Sequence, residues 1–309
     1  VNSFMHNPVL LTEALEALAP RRGGRFVDGT IGGAGHAVEI LKAIGDTGWL
    51  WGIDRDGVAL KAAEVRLAPF TGRFELRKGG FDRMSEWVSE GEADGVLLDL
   101  GVSSPQLDEA DRGFSFQQEG PLDMRMDRDQ SLTAAEVVNA TPVDELARIF
   151  WEFGDEPRAR RLAWLIGEER QVQPLRTTKE LATLVERGAP RRGSRLHPAT
   201  RVFQAIRMVV NDELGQLDRG LEAAFRVLKP GGRLAVITFQ SLEARRVKQF
   251  GAVRTRDYDF DGDVDVPELR RPRQPTLRWV ARRAVVAGEA ELVVNPRARS
   301  AQLRVLEKV

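Results

Sequence analysis

The sequence predicts a parallel, doubly wound α/β fold that carries a helical insertion. Three observations lead there. Short apolar segments alternate with helical ones between Arg25 and Leu100. The alternation stops at Pro105, and only helical patterns follow as far as Pro198. It then resumes toward the C-terminus. Strands alternating with helices require crossover connections, and hence a parallel sheet covered on both faces.

The first strand is Arg25–Asp28, followed by a glycine-rich turn and a helix over 35–43. Trp49–Asp54 is the second strand and Gly57–Leu67 the next helix. The third strand covers 73–78. The fourth, over 94–100, reads Asp-Gly-Val-Leu-Leu-Asp-Leu and is apolar enough for burial on both faces. Helices are predicted over 133–139, 143–151, 157–169 and 179–187. Thr141-Pro142 and Thr177-Thr178-Lys179-Glu180 read as helix starts, the second with capping chemistry. One long helix is expected over 199–228, stopped by Lys229-Pro230-Gly231-Gly232. A fifth strand covers 233–239, a helix 241–250, and the last strands 277–283 and 302–307. Residues 257–265 are acidic and read as a loop. Residues 1–106 and 199–309 are therefore expected to form the sheet domain, with 107–198 inserted as a helical domain.

The chain has 309 residues, 42% of them hydrophobic, enough for a sizeable core. Basic and acidic residues balance at 46 each, so net charge names no partner. Their distribution is more informative. Six arginines and no acid fall between Arg187 and Arg207, and six more without an acid between Arg270 and Arg283. Two such clusters point to phosphates, and hence to a nucleic acid. The chain has no cysteine, which excludes disulfides, thiolate metal sites and a cysteine nucleophile. With three histidines besides, no metal site is expected. No apolar run approaches the ~20 residues that span a bilayer, and no signal-peptide pattern opens the chain. A cytoplasmic protein that does not enter the membrane is expected.

The first candidate site is Asp28-Gly29-Thr30-Ile31-Gly32-Gly33-Ala34-Gly35-His36, between a strand and a helix. Glycines there allow a tight turn and close approach of backbone to a ligand. Asp54 ends the next strand, where a carboxylate can accept hydrogen bonds from two ribose hydroxyls. Asp99 ends the fourth strand, at the edge where such sheets bind ligands. A phosphate-cradling loop would need Gly-Lys-Ser/Thr, and this one has Gly35-His36-Ala37. A dinucleotide fingerprint would start at Gly33 and Gly35 but needs glycine where Val38 stands. Asp28 would repel a pyrophosphate, yet can pair, directly or through water, with the ammonium of a methionine moiety. This favours S-adenosylmethionine over a nicotinamide dinucleotide. An oxidoreductase on the same fold stays open as the alternative.

Asp99-Leu100-Gly101-Val102-Ser103-Ser104-Pro105 follows the fourth strand. Methyl transfer is an in-line displacement, so the enzyme positions the acceptor atom and handles its proton. Asp99 can accept a hydrogen bond from an amine and orient its lone pair, with Ser104 or the loop carbonyls holding the second N–H. Ser103 and Ser104 can equally form a simple turn. Methylation at carbon 5 of a pyrimidine normally needs a cysteine nucleophile. Without cysteine, a nitrogen or oxygen acceptor is expected.

Several blocks go beyond fold analogy. They are His6-Asn7-Pro8-Val9-Leu10-Leu11, the glycine loop, Asp99 through Asp108, Arg112-Gly113-Phe114-Ser115-Phe116 and Gly120-Pro121-Leu122-Asp123-Met124-Arg125-Met126-Asp127. His197 through Arg207 and Asn295-Pro296-Arg297-Ala298-Arg299-Ser300 complete the set. Over nearly its whole length the chain resembles the RsmH (MraW) family of bacterial small-subunit ribosomal RNA cytosine-N4 methyltransferases. The resemblance implies a Rossmann-like, S-adenosylmethionine-dependent methyltransferase sheet and methylation of a decoding-region cytidine in 16S ribosomal RNA. It implies cofactor contacts at Ala34, Gly35, His36, Asp54, Phe81, Asp99 and Gln106. Phe81 and Gln106 come from the resemblance alone, and Phe81 would otherwise read as core. Where the family often has His-Ser-Leu-Glu-Asp-Arg after the fifth strand, this chain has Gln240-Ser241-Leu242-Glu243-Ala244-Arg245. Activity is expected to survive that change, with no essential role for the altered pair.

A cytosine must be unstacked before its amine can reach the methyl group. Phe114 and Phe116 are candidate stackers or lid anchors, and Arg191, Arg192, Arg195 and Arg201 candidate phosphate contacts. His36 is expected to line the cofactor loop and His197 to begin a helix. The partner is expected to be 16S ribosomal RNA within the small subunit. The sequence leaves open a homodimer, and also an assembly factor that binds subunits without turnover.

Overall fold

A computed structural model of the protein describes residues 8–189, 197–260 and 264–309. The chain divides into two compact units, one of Val1–Gly101 with Leu214–Val309, the other of Val102–Glu213.

The first unit is built on a seven-stranded sheet. Helix α1 (Leu11–Leu18) precedes β1 (Arg25–Asp28), α2 (Gly35–Ile44), β2 (Trp49–Asp54), α3 (Gly57–Leu67), β3 (Phe74–Lys78) and β4 (Ala93–Asp99). The strand order is β3-β2-β1-β4, continued by β5 (Leu228–Thr238), β9 (Gln302–Lys308) and β8 (Leu277–Trp279). The first five strands run parallel; β9 is antiparallel to both its neighbours. A dinucleotide-binding sheet of the usual 3-2-1-4-5-6 order continues past its fifth strand with the sixth. Here the reversed β9 takes that place.

Side chains on a strand alternate between faces, and the alternation here feeds two cores. Val27, Trp51, Ile53, Val96, Leu98, Leu234 and Val236 point to one side. Phe26, Leu50, Leu97, Ala235, Ile237 and Leu303 point to the other. The second face is covered by Ala14 and Leu18 of α1, Ile40, Leu41 and Ile44 of α2, and Ala63 and Leu67 of α3. The first face receives Met84 and, from the C-terminal half, Leu217, Leu221 and Val247. This two-sided burial is why β4 reads as an unbroken apolar run.

The second unit is helical: α4 (Ser104–Asp108), α5 (Ala134–Ala140), α6 (Val143–Gly154), α7 (Ala159–Val172), α8 (Thr178–Gly188) and α9 (Ala199–Val210). Among the described residues its only strand-like pairing is an isolated bridge between Pro121 and Thr177. Reciprocal caps start two helices. Thr133 accepts from the Glu136 N–H while Glu136 accepts from the Thr133 N–H at 2.8 Å; Thr177 and Glu180 repeat the pattern. Leu146, Phe150, Leu162, Ile166, Leu181 and Phe203 form the centre of its core.

Four expectations change. The helix expected over 199–228 is two helices, α9 and α10 (Glu213–Val227), parted at Asn211 and Asp212, with Asp212 at φ 46°. Apolar spacing runs through both, so periodicity could not reveal the break. Short polar residues such as Asp tolerate the left-handed conformation it needs. Because α9 buries Val202, Phe203 and Ile206 in the helical core, this unit reaches Glu213 and begins at Val102, wider than 107–198. Lys229–Gly232 does end α10, but it belongs to β5, with a register irregularity opposite Ala93 and Gly95. The remaining elements are α11 (Ser241–Arg254), β6 (Tyr258–Phe260), β7 (Arg270–Pro272) and α12 (Glu289–Val294). The expected acidic loop thus contains β6, which pairs antiparallel with β7.

Asn211 holds the α9 break. Its Oδ1 accepts from the Met126 N–H at 2.8 Å, and its Nδ2 donates to the carbonyls of Met124 and Arg207 at 2.8 and 2.9 Å. Asn211→Ala takes this partner from the Met126 N–H and the Met124 carbonyl, while the Arg207 carbonyl keeps the backbone N–H of residue 211. It is expected to destabilise the helical unit by about 3 kcal/mol, read from the shift of its urea transition. An unchanged transition would remove Asn211 as the anchor.

Candidate active site

Strands β1 and β4 are neighbours, yet the chain leaves β1 toward β2 and β3 and leaves β4 toward β5. The strand order reverses between them. In open parallel sheets the crevice outside the carboxyl ends at such a reversal is where ligands bind. Asp28 ends β1 and Asp99 ends β4, so the two expected loops flank this point.

The loop after β1 is pinned from three sides. The Gly29 N–H donates to the Leu97 carbonyl at 2.9 Å, and a Cβ on Gly29 would stand 2.6 Å from the Leu98 side chain. Asp54, at the end of β2, accepts the Gly32 N–H on one carboxylate oxygen and the Asp56 N–H on the other, both at 2.9 Å. The Asp99 N–H donates to the Thr30 hydroxyl at 2.6 Å, tying the loop to the end of β4. Gly32 and Ala34 take left-handed conformations, φ 48° and 59°. Ala34 and Gly35 then lead into the first turn of α2. Asp54 is thus an anchor of the loop as well as a candidate ribose acceptor, because each carboxylate oxygen keeps a further lone pair. Neither this anchoring nor the role of Thr30 carries a sequence signal.

The electrostatics are unusual. Asp28 is 2% exposed. Burial pushes its carboxyl up to about 7, against the Thr30 N–H that donates to it, with the Asp54 charge adding to the rise. Burial pushes Asp54 up to about 6, opposed by its two N–H donors. Asp99 is raised well above the usual carboxylate range by burial first, then by the charges of Asp28 and Glu243. Its side chain keeps 24% exposure, but Oδ1 is buried with no hydrogen-bond partner. His36 is buried, its Nε2 lies 3.1 Å from the Val9 carbonyl, and its Nδ1 lies 3.9 Å from Asp99 Oδ2. Burial pushes its pKa down to about 4, so the ring is neutral. An orphaned acceptor among carboxyls that resist ionisation suits an ammonium or an amine N–H, not a phosphate. These residues fit the methionine end of S-adenosylmethionine.

Phe81 opens a short 3-10 helix, Phe81–Glu86, beside Gly29. Its ring is buried against Gly220 of α10, where a Cβ would meet it at 2.3 Å. Ser104 and Gln106 belong to the helical unit. Ser104 is the first residue of α4, and the buried Gln106 accepts the Ser103 N–H at 3.0 Å as part of a capping box. Arg191, Arg192 and Arg195 lie outside the described residues. Arg201 lies on α9 and is partly exposed.

Half of the second arginine cluster is paired with acids that are remote from it in sequence or just outside its window. Arg270 pairs with Asp265 at 2.8 Å, Arg273 with Asp259 at 2.9 Å, and Arg278 with Glu307. In the first cluster, Arg207 pairs with Glu213 at 2.7 Å and Arg187 with Glu169 at 3.4 Å. A sequence window cannot see such partners, so counting arginines overstates the charge left for phosphates. Phe114 is a core residue, and Phe116 stacks on His197 with centroids 4.5 Å apart. His197 precedes α9, as expected. Gln240 caps α11, and its N–H donates to Glu243 at 3.1 Å, so the altered family position supports the helix start.

A carboxyl whose pKa is raised by folding weakens the fold as pH climbs from about 4 to its folded pKa. Asp28→Asn is therefore expected to raise the melting temperature of the ligand-free protein at pH 8 by about 2–4 °C. The gain should grow between about pH 4 and pH 7 and level off above. Thermal melts across pH check this, and a variant that melts lower at pH 8 would contradict it.

The model of the MraW methylase family matches residues 3–309. The ribosomal RNA small subunit methyltransferase H of Symbiobacterium thermophilum is 48% identical over 99% of this chain and 98% of its own length. The protein of that name from Syntrophotalea carbinolica is 49% identical, with the same coverage of both chains. That of Geobacter sulfurreducens is 48% identical over 99% of this chain and all of its own. Matches of this length take in both compact units, and the chain belongs to the MraW methylase family.

Proposed function

We propose that the protein transfers a methyl group from S-adenosylmethionine to the exocyclic N4 amine of a cytidine in the decoding region of 16S ribosomal RNA. The observation that carries the chemistry is the Asp99 carboxyl, whose Oδ1 is an unpartnered acceptor at the strand-order reversal. The substrate follows from relatives that are 48–49% identical across essentially their whole length and are named for the small-subunit RNA. The absence of cysteine agrees, because an amine acceptor needs no covalent step.

The cofactor supplies a methyl group on a cationic sulfur. In this reading Asp28 and Asp99 draw the ammonium end into the crevice, and the Ala34-Gly35-His36 stretch closes over it. Asp54 takes the ribose hydroxyls while holding the loop, with Phe81 and Gln106 lining the cofactor site. The Asp99 carboxylate accepts an N–H of the acceptor amine and aims its lone pair, which is worth several kcal/mol in a reaction limited by orientation. Ser104 holds the second N–H. The helical unit grips RNA through arginines that include Arg191, Arg192, Arg195 and Arg201. The substrate is the RNA within the small ribosomal subunit, and the enzyme works in the cytoplasm.

Labelled cofactor with small subunits lacking the modification tests the assignment. N4-methylcytidine in the digested RNA is expected, and absence of transfer would refute it. Asp99→Ala should slow transfer by about 10²-fold or more; a near-normal rate would remove Asp99 from the reaction. Binding of S-adenosylhomocysteine, which keeps the ammonium, should weaken as pH falls from 8 to 5.5, because Asp28 and Asp54 protonate near 7 and 6. Calorimetry should also show protons released on binding near pH 6.5. An affinity flat with pH would contradict the ammonium assignment.

A further inference from the structure

His36 is buried beside Asp99, and the resemblance offers it only as part of the cofactor loop. Its two ring nitrogens face different groups. Nε2 lies 3.1 Å from the Val9 carbonyl, which can only accept a hydrogen bond. The neutral ring therefore carries its proton on Nε2, and Nδ1 presents a bare lone pair. That lone pair is 3.9 Å from Asp99 Oδ2. While Asp99 is ionised, two acceptors face each other and no bond forms. Once Asp99 is protonated, its O–H can close on Nδ1 after a shift of under about 1 Å. Among the described residues, Asp28 at the end of β1 and Glu243 on α11 also act on Asp99, both acids that make its charged form less favourable.

We propose that His36 is a positioning residue for proton removal: its Nδ1 receives the hydrogen bond of the protonated Asp99 and so strengthens Asp99 as the base for the acceptor amine. This rests on the methyl-transfer reading above. As the nitrogen–carbon bond forms and the sulfur–carbon bond breaks, the amine becomes cationic. It passes one N–H proton to the Asp99 carboxylate, and the N–H electron pair stays on nitrogen. The carboxylate becomes a carboxylic acid, and its O–H turns to Nδ1. The proton leaves to solvent when the products depart, along the exposed quarter of the Asp99 side chain. His36 stays neutral throughout, in keeping with its burial.

Two glutamine and asparagine variants separate this role from packing. His36→Gln places an amide N–H where Nε2 stood and keeps the Val9 contact, but leaves no acceptor at the Nδ1 position. His36→Asn places an amide near Nδ1 and gives up Val9. With small subunits as substrate, His36→Gln is expected to lower kcat about tenfold, with KM for S-adenosylmethionine within about twofold. The acidic limb of its kcat profile should move about one unit to lower pH, because the acid form of Asp99 has lost its acceptor. His36→Asn should recover part of that limb. An unmoved limb in His36→Gln, or a rise in KM alone, would reduce His36 to a loop anchor. Nitrogen-15 NMR of the cofactor-free wild type gives an independent reading. The Nε2–H tautomer is expected, with an Nδ1 resonance that shifts as Asp99 titrates and stays still in Asp99→Asn. An Nδ1–H tautomer would overturn the proposal even if the variants failed to fold. Absence of methyl transfer by the wild type would strike the functional reading instead, and leave the NMR result to stand by itself.

Discussion

Three carboxyls held at the ends of β1, β2 and β4 are the constraint on which the site depends. Each costs free energy to ionise where it stands, since burial is the largest influence on Asp28, Asp54 and Asp99 alike. They remain there because the backbone is arranged around them. Asp54 collects the N–H groups of Gly32 and Asp56, Asp28 that of Thr30, and the Thr30 hydroxyl receives the Asp99 N–H. The loop cannot relax without orphaning one of these groups. A cation brought to the cluster would relieve the mutual repulsion, so the ligand-free protein stores part of the binding energy as strained electrostatics.

On the proposed function, the same arrangement lets one site serve both a cofactor and a proton. A carboxyl with an ordinary pKa would be a weak base at neutral pH, whereas a raised one is a stronger base and still binds cations when ionised. The neutral His36 ring extends this logic. A second positive charge beside Asp99 would lower its basicity, and burial of the imidazole prevents that charge from forming. The cost is carried by the cores on both faces of the sheet and by the hydrogen bonds that fix the loop.

The sheet was legible because its physics is local. A strand buried on both faces must be apolar without interruption, as in Val96, Leu97 and Leu98, and its C-terminal Asp announces the edge. The helix start at Thr177 was legible for the same reason, since its cap is satisfied within one turn, and the start after Pro142 because proline's fixed φ suits a helix beginning. Asp54 and Asp99 stood out by position. What the sequence hid were features set by distant contacts. The Asn211 break depends on backbone groups of Met124 and Met126, more than eighty residues away. Arg270, Arg273 and Arg278 pair with Asp265, Asp259 and Glu307, two just upstream and one at the far end of the chain.

The amino-acid sequence by itself determined the fold class, the glycine loop, the acidic strand ends and, through the missing cysteine, the kind of acceptor chemistry open to the protein. Each of these follows from residue type and near-neighbour spacing. Only the tertiary structure decided the extent of the helical unit, the pinning of the loop by Asp54 and Thr30, and the facing of His36 on Asp99. It also decided which carboxyls resist ionisation. Those outcomes depend on burial and on distances between groups far apart in the chain, and a pKa or a proton path exists only once those distances are set.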